Sequence, residues 1–218
     1  MSHPLAVVIE DTANGRFLPV DGGWHRVDPW KAGLEAVVAF TGHAVFAVDA
    51  ATTDASLAGL GADGFGGAHD ARLVAELAGP DGWIDSLDAL LVGRGRGSMA
   101  AVRPRLVPRP DLATHPRVRF AATNRDDVQV FGFDDPRRTA VAVLSRGVAG
   151  LPEVSFELEP EHRGGSGSAL VEAALTLVPE GQLVIAAAAP GNAASLRALL
   201  STGFSPVGSL QLFRRAST

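Results

Sequence analysis

Three carboxylates alternate with apolar residues along the stretch EVSFELE. Glu153, Glu157 and Glu159 share one face of an extended chain with Ser155, while Val154, Phe156 and Leu158 share the other. Carboxylates two apart on a strand lie close enough to raise one another's pKa. That suits a base working near neutral pH, and an acidic pocket suits a cationic amine. The same pattern also suits a face that merely meets solvent. Glu153 and Glu157 sit further from the glycine-rich run that follows, and they are the expected catalytic pair.

That run, RGGSGS, joins the strand to a helix-like stretch with only a few residues between, so it is not a linker between independent parts. Glycines at 164, 165 and 167 permit unusual dihedrals and close approach of backbone to a ligand. The first N–H groups of the new helix have no partner within it, and the macrodipole adds about half a positive charge there. Such a loop is a seat for a diphosphate, with His162 and Arg163 beside it to add charge-assisted contacts.

Other chemistries fail on spacing. No Lys-Ser/Thr pair follows the glycines, which excludes a Walker loop, and the strand after them ends in AAAAP without the acid a dinucleotide fold needs. No G-x-S-x-G marks a nucleophile elbow. The chain has no cysteine, and His43, His69 and His115 stand apart without metal-ligand spacing. His25, between Trp24 and Arg26 and near Trp30, reads either as part of a substrate wall or as a surface loop with tucked aromatics.

The elements that must position these groups follow from periodicity. Short buried strands are expected at Ala6–Asp11, Glu35–Phe40 and His43–Asp49, with TGH as a tight connection between the last two. Helices are expected from Asp54, over His69–Ala78 and over Asp81–Val92. Residues 94–116 read as an Arg/Pro-rich connector. From Arg94 to Arg119 there are seven arginines against one acid, Asp111, either an anion-contacting arm or a stiff spacer with its arginines in water. Downstream, Arg117–Ala122, Asp127–Phe133 and Thr139–Arg146 read as three antiparallel strands, followed by the strand Glu153–Glu159 and a helix over Ser168–Val178. Leu183–Ala189 is an apolar strand of the kind covered on both faces. Asn192 then caps a helix that Gly203 ends, and FSPVGSLQLFRR closes with one or two strands. The fold class is α+β, a mixed central sheet in which antiparallel strands precede a parallel βαβ unit.

"EPEHRGGSGSALVEAA" followed by "APGNAASLRALLSTGFSPVG" resembles the acyl-CoA core of the GNAT N-acyltransferases over about residues 117–215. The resemblance implies an acyl-CoA N-acyltransferase-like fold in residues 117–218, with residues 1–93 an α/β elaboration or a degenerate second copy. It implies acetyl-CoA as co-substrate, with Arg163, Gly164, Gly165, Ser166, Gly167, Ser168 and Ala169 around its diphosphate. Leu158 borders the cofactor, and Asn192 stands where the family often contacts the pantetheine arm. Counting back from Gly167 puts His162 at the family's arginine or glutamine; counting forward from Pro160 puts Arg163 there in a loop one residue short, the reading preferred. Many members carry a general-acid tyrosine where this chain has Leu199, and the chain has no tyrosine at all. The implied reaction is direct acetyl transfer to an amine of a small molecule or peptide, the alternative being a silent acyl-CoA-binding or regulatory module.

With 218 residues, 46% of them hydrophobic, the chain can bury a sizeable core. A net charge of −5 gives no general attraction to nucleic acid or membrane, and neither is an expected partner. No run of about 18 apolar residues occurs. The N-terminus lacks the pattern of a secretory signal, and the absence of cysteine fits a cytoplasmic setting. A homodimer is the assembly considered.

Overall fold

In a computed structural model, which describes residues 2–98, 104–160 and 166–216, two His-Pro pairs open helices. The His3 side chain accepts a hydrogen bond from the Leu5 N–H, Pro4 occupies the first helical position, and helix α1 runs over Pro4–Ala13. His115 does the same for Arg117 N–H, with Pro116 starting helix α4 (Pro116–Asn124). In each, proline sets a helical φ and has no N–H to leave orphaned. Strands were expected at Ala6–Asp11 and Arg117–Ala122, and both are helices. The β-branched Val7, Val8 and Ile9 suggested the first strand, but Leu5, Ile9 and Thr12 fall on one buried helical stripe.

The chain divides into two compact units, residues 1–90 with 207–218, and residues 91–206. In the first, β1 (Trp24–Val27) pairs parallel with β3 (His43–Ala47). β2 (Glu35–Phe40) and β3 form a hairpin closed by Phe40 and His43, with Gly42 in the turn at φ +70°. Helix α2 (Asp54–Gly59) and helix α3 (Ala71–Ala78) follow, near their expected places. The stretch Asp81–Val92 is not helical: β4 (Trp83–Ile84) and β5 (Asp88–Arg94) occupy it. Its apolar spacing fitted a helix, yet Leu90, Leu91 and Val92 are buried in succession, as in a strand covered on both faces. The last strand, β11 (Ser205–Arg214), pairs antiparallel with β2 and with β4. Phe46, Leu57, Leu73, Val74, Leu77 and Phe213 share one core.

The second unit holds the mixed sheet. β6 (Leu106–Pro108), β7 (Asp126–Phe133), β8 (Val141–Arg146) and β9 (Pro152–Glu157) are successively antiparallel. Helix α5 (Gly167–Leu175) then crosses over to β10 (Leu183–Ala188), which lies parallel to β9, and helix α6 (Ala193–Ser201) follows. This is the expected α+β class. Gly203, at φ +92°, follows the C-cap of α6 as anticipated. β6 lies within the expected connector. Among the described residues no helix is long and apolar enough to cross a membrane.

Candidate functional site

The register of β8 against β9 decides what the acidic face meets. Glu153, Ser155 and Glu157 stand opposite Ser145, Val143 and Val141, and directly opposed residues of an antiparallel pair project to the same side. Val141 and Val143 pack with Val118 and Ala121 of α4. Glu153 and Glu157 therefore face α4, not open water, and Arg117 of α4 and its C-cap residue Arg125 supply their counter-charges. Glu153 Oε1 lies 2.5 Å from Arg125 Nη2, with both side chains almost wholly buried. Its Oε2 accepts from Val148 N–H at 3.3 Å. A Cβ on Gly147 would sit 1.6 Å from that oxygen, so Gly147 leaves the room this carboxylate fills. Arg125 also donates to Ser155 Oγ at 3.1 Å. Glu157 is a third exposed, with Arg117 Nε 3.4 Å from its Oε2. It is the more accessible of the expected catalytic pair.

Glu159 is a structural carboxylate. Arg138 grips it with two bonds of 2.8 and 3.1 Å, and the N–H groups of Thr139 and Ala140 donate to Oε1 at 2.8 and 2.9 Å. Those contacts, Arg138 foremost, hold its pKa down to about 2.

On its other edge β9 meets β10 through the register pair Ile185–Glu153. That pair lies near the start of β9, while the later residues Ser155, Phe156 and Glu157 pair with β8 on the opposite edge. Open α/β sheets place ligands beyond the C-terminal ends of parallel strands such as these. Leu158 is half-buried there, as is Phe156 on the same face. Helix α5 opens beside them. Ser166 is its N-cap residue but makes no side-chain cap, and its first turn holds no acid. Among the described residues, no side chain caps the leading N–H groups of α5, those of Ser168 and Ala169 included. A Cβ on Gly167 would lie 3.2 Å from Ala198 Cβ and 3.8 Å from both Leu158 and Phe156. Glycine there lets α5, α6 and the end of β9 converge. Arg163, Gly164 and Gly165, expected around the diphosphate, lie outside the described residues, as does His162.

Asn192 is the expected N-cap of α6. Its side chain accepts from Ser195 N–H at 3.1 Å and remains exposed. Leu199, in the tyrosine's place, is 1% exposed and belongs to the core. The arginines between 94 and 119 are not uniformly solvated. Arg109 is buried, donating to Asp111 and to the carbonyls of Phe133, Asp135 and Arg138.

Sequence reasoning missed Arg117, Arg125 and Arg138 as partners, because each contact spans 20 or more positions. It also left the histidines isolated. His25 Nδ1 lies 3.0 Å from His43 Nε2, whose Nδ1 lies 3.0 Å from Asp21 Oδ1. His69 Nε2 meets Ser209 Oγ at 2.8 Å. No spacing rule joins positions 21, 25 and 43.

No protein-family model matches the chain, and no curated protein matches it. Among solved structures it is similar to a protein from Novosphingobium aromaticivorans assigned to the GNAT acetyltransferase family, at 19% identity and a TM-score of 0.42, over 63% of this chain and 69% of that one. It is similar to a GCN5-related N-acetyltransferase from Kribbella flavida at 15% identity and a TM-score of 0.41, over 68% and 64% of the two chains. A conserved protein of unknown function from Staphylococcus epidermidis gives 13% identity and a TM-score of 0.41, over 68% of each chain.

Proposed function

We propose that residues 91–206 bind acetyl-CoA at the C-terminal ends of β9 and β10 and transfer its acetyl group to an amine of a small molecule or peptide. One observation carries the reading: the parallel strands β9 and β10 are joined through helix α5, whose start has no side-chain cap among the described residues, with Gly167 packed at the junction. The donor set fits the cofactor. N–H groups at the start of α5 suit a diphosphate, and backbone amides at the C-terminal end of β9 suit those of an extended pantetheine arm. Arg163, Gly164, Gly165 and Ser166–Ala169 would hold the phosphates, and Leu158 and Asn192 would border the arm. When bound, acetyl-CoA supplies the activated acyl group.

Glu157 is the base in this reading, being accessible and held by Arg117. Glu153 is the base only if its ion pair with Arg125 opens. A second reading, a silent acyl-CoA-binding module, draws support from that burial and from Leu199 in the acid's place. Thiol release from acetyl-CoA across an amine panel separates the two. Turnover that falls at least tenfold in kcat in Glu157→Gln supports the enzyme with this base. Turnover unchanged in Glu157→Gln removes this base. Binding without turnover favours the silent module, and no binding removes both.

A further inference from the structure

In the unit of residues 1–90 and 207–218, three side chains fix one another's protons. The Asp21 carboxylate accepts from Gly23 N–H at 2.7 Å and lies 3.0 Å from His43 Nδ1. These contacts, the His43 bond foremost, lower the Asp21 pKa, so it is an acceptor only. His43 must then carry its proton on Nδ1, which in the neutral ring leaves Nε2 a bare acceptor. His25 Nδ1, 3.0 Å from that Nε2, must donate to it. The lone pair of His25 is thereby assigned to Nε2 by hydrogen-bond logic. Burial, the foremost cause, lowers the His25 pKa and favours the neutral ring.

His25 lines a cavity of about 650 Å³ with Trp24, Arg26, Asp54, Ala55 and Ala58. Arg26 is a third exposed; its Nε pairs with Asp54 and its Nη1 donates to Thr52 O at 2.6 Å. Among the described residues nothing pairs with Nη2, and Arg26 lines the cavity. We propose that Asp21, His43 and His25 form a proton relay that makes His25 Nε2 a general base at this cavity, a second chemical site whose substrate is a small hydroxy- or amino-carboxylate held through its carboxylate by Arg26.

In the relay step the substrate's hydroxyl or ammonium proton passes to His25 Nε2 while the Nδ1 proton of His25 passes to His43 Nε2. The electron pair of the broken bond stays on the substrate oxygen or nitrogen, which becomes the nucleophile. His25 ends neutral, and the positive charge rests on His43 against the Asp21 carboxylate. His43 and Asp21 are positioning residues, and His25 is the group that touches substrate.

Long-range ¹H–¹⁵N spectra of the full chain at pH 8 test the relay. The wild-type protein should show both His25 and His43 as Nδ1–H tautomers, and His43→Phe should return His25 to the Nε2–H form usual in water. An Nε2–H tautomer of His25 in the wild-type protein overturns the relay whether or not the variant folds. Glycolate and glycine are the ligand probes. Either should shift the His25 ring resonances at millimolar concentration, with affinity reduced about tenfold or more in Arg26→Gln. No shift with either probe, or equal affinity in Arg26→Gln, overturns the substrate class.

Discussion

Glu153 and Arg125 meet where neither side chain sees much water. Two buried charges offset each other's desolvation, so removing one strands the other. Arg125→Met should cost about 3–5 kcal/mol, read as a lowered midpoint in urea unfolding. A cost near zero would mean the pair is wetter than its geometry implies. Glu159 gives a pH signature. Its folded pKa, about 2, lies below its ordinary value of 4.5. The stabilisation is therefore complete above pH 4.5 and is lost as pH falls toward 2. Glu159→Gln should be less stable than the parent by roughly 2 kcal/mol at pH 6, and the difference should shrink through that window. A constant difference from pH 6 to pH 2.5 would contradict the assignment.

Much of the second unit was legible in its elements. β7 to β10, α5 and α6 follow the alternation of EVSFELE, the apolar run LVIAAA, and the caps Asn192 and Gly203. The misread element mattered most. With Arg117–Ala122 read as a strand, the acids of β9 kept an open face; as helix α4, the same residues cover it and pair with it. The missed signal was His115-Pro116, repeated at His3-Pro4, where a histidine caps and a proline starts the helix. The register of β9 against β10 was not legible, because pairing registers depend on tertiary packing. It carries its own prediction. Amides of residues 155–159 should gain hydrogen-exchange protection when acetyl-CoA binds, while those of β7 should not change. Uniform protection, or none, would place the ligand elsewhere.

At the scale of the molecule, the chain closes on itself. Residues 207–218 complete the unit begun by residues 1–90, and Phe213 is wholly buried in that unit's core. Phe213→Ala should cost about 3–5 kcal/mol in urea unfolding. A change under about 1 kcal/mol would show that the last strand is not integral to the unit. The proposed acyl-CoA site needs only residues of the other unit, and the most direct test of it is calorimetric titration of acetyl-CoA into the parent chain and Ser168→Glu. A glutamate at that position favours the start of α5 by about 0.5 kcal/mol, yet places negative charge where the diphosphate would bind. Binding to the parent chain should be saturable, and weakened at least tenfold in a variant that unfolds no earlier. No heat of binding to the parent, or equal affinity in Ser168→Glu, would contradict it.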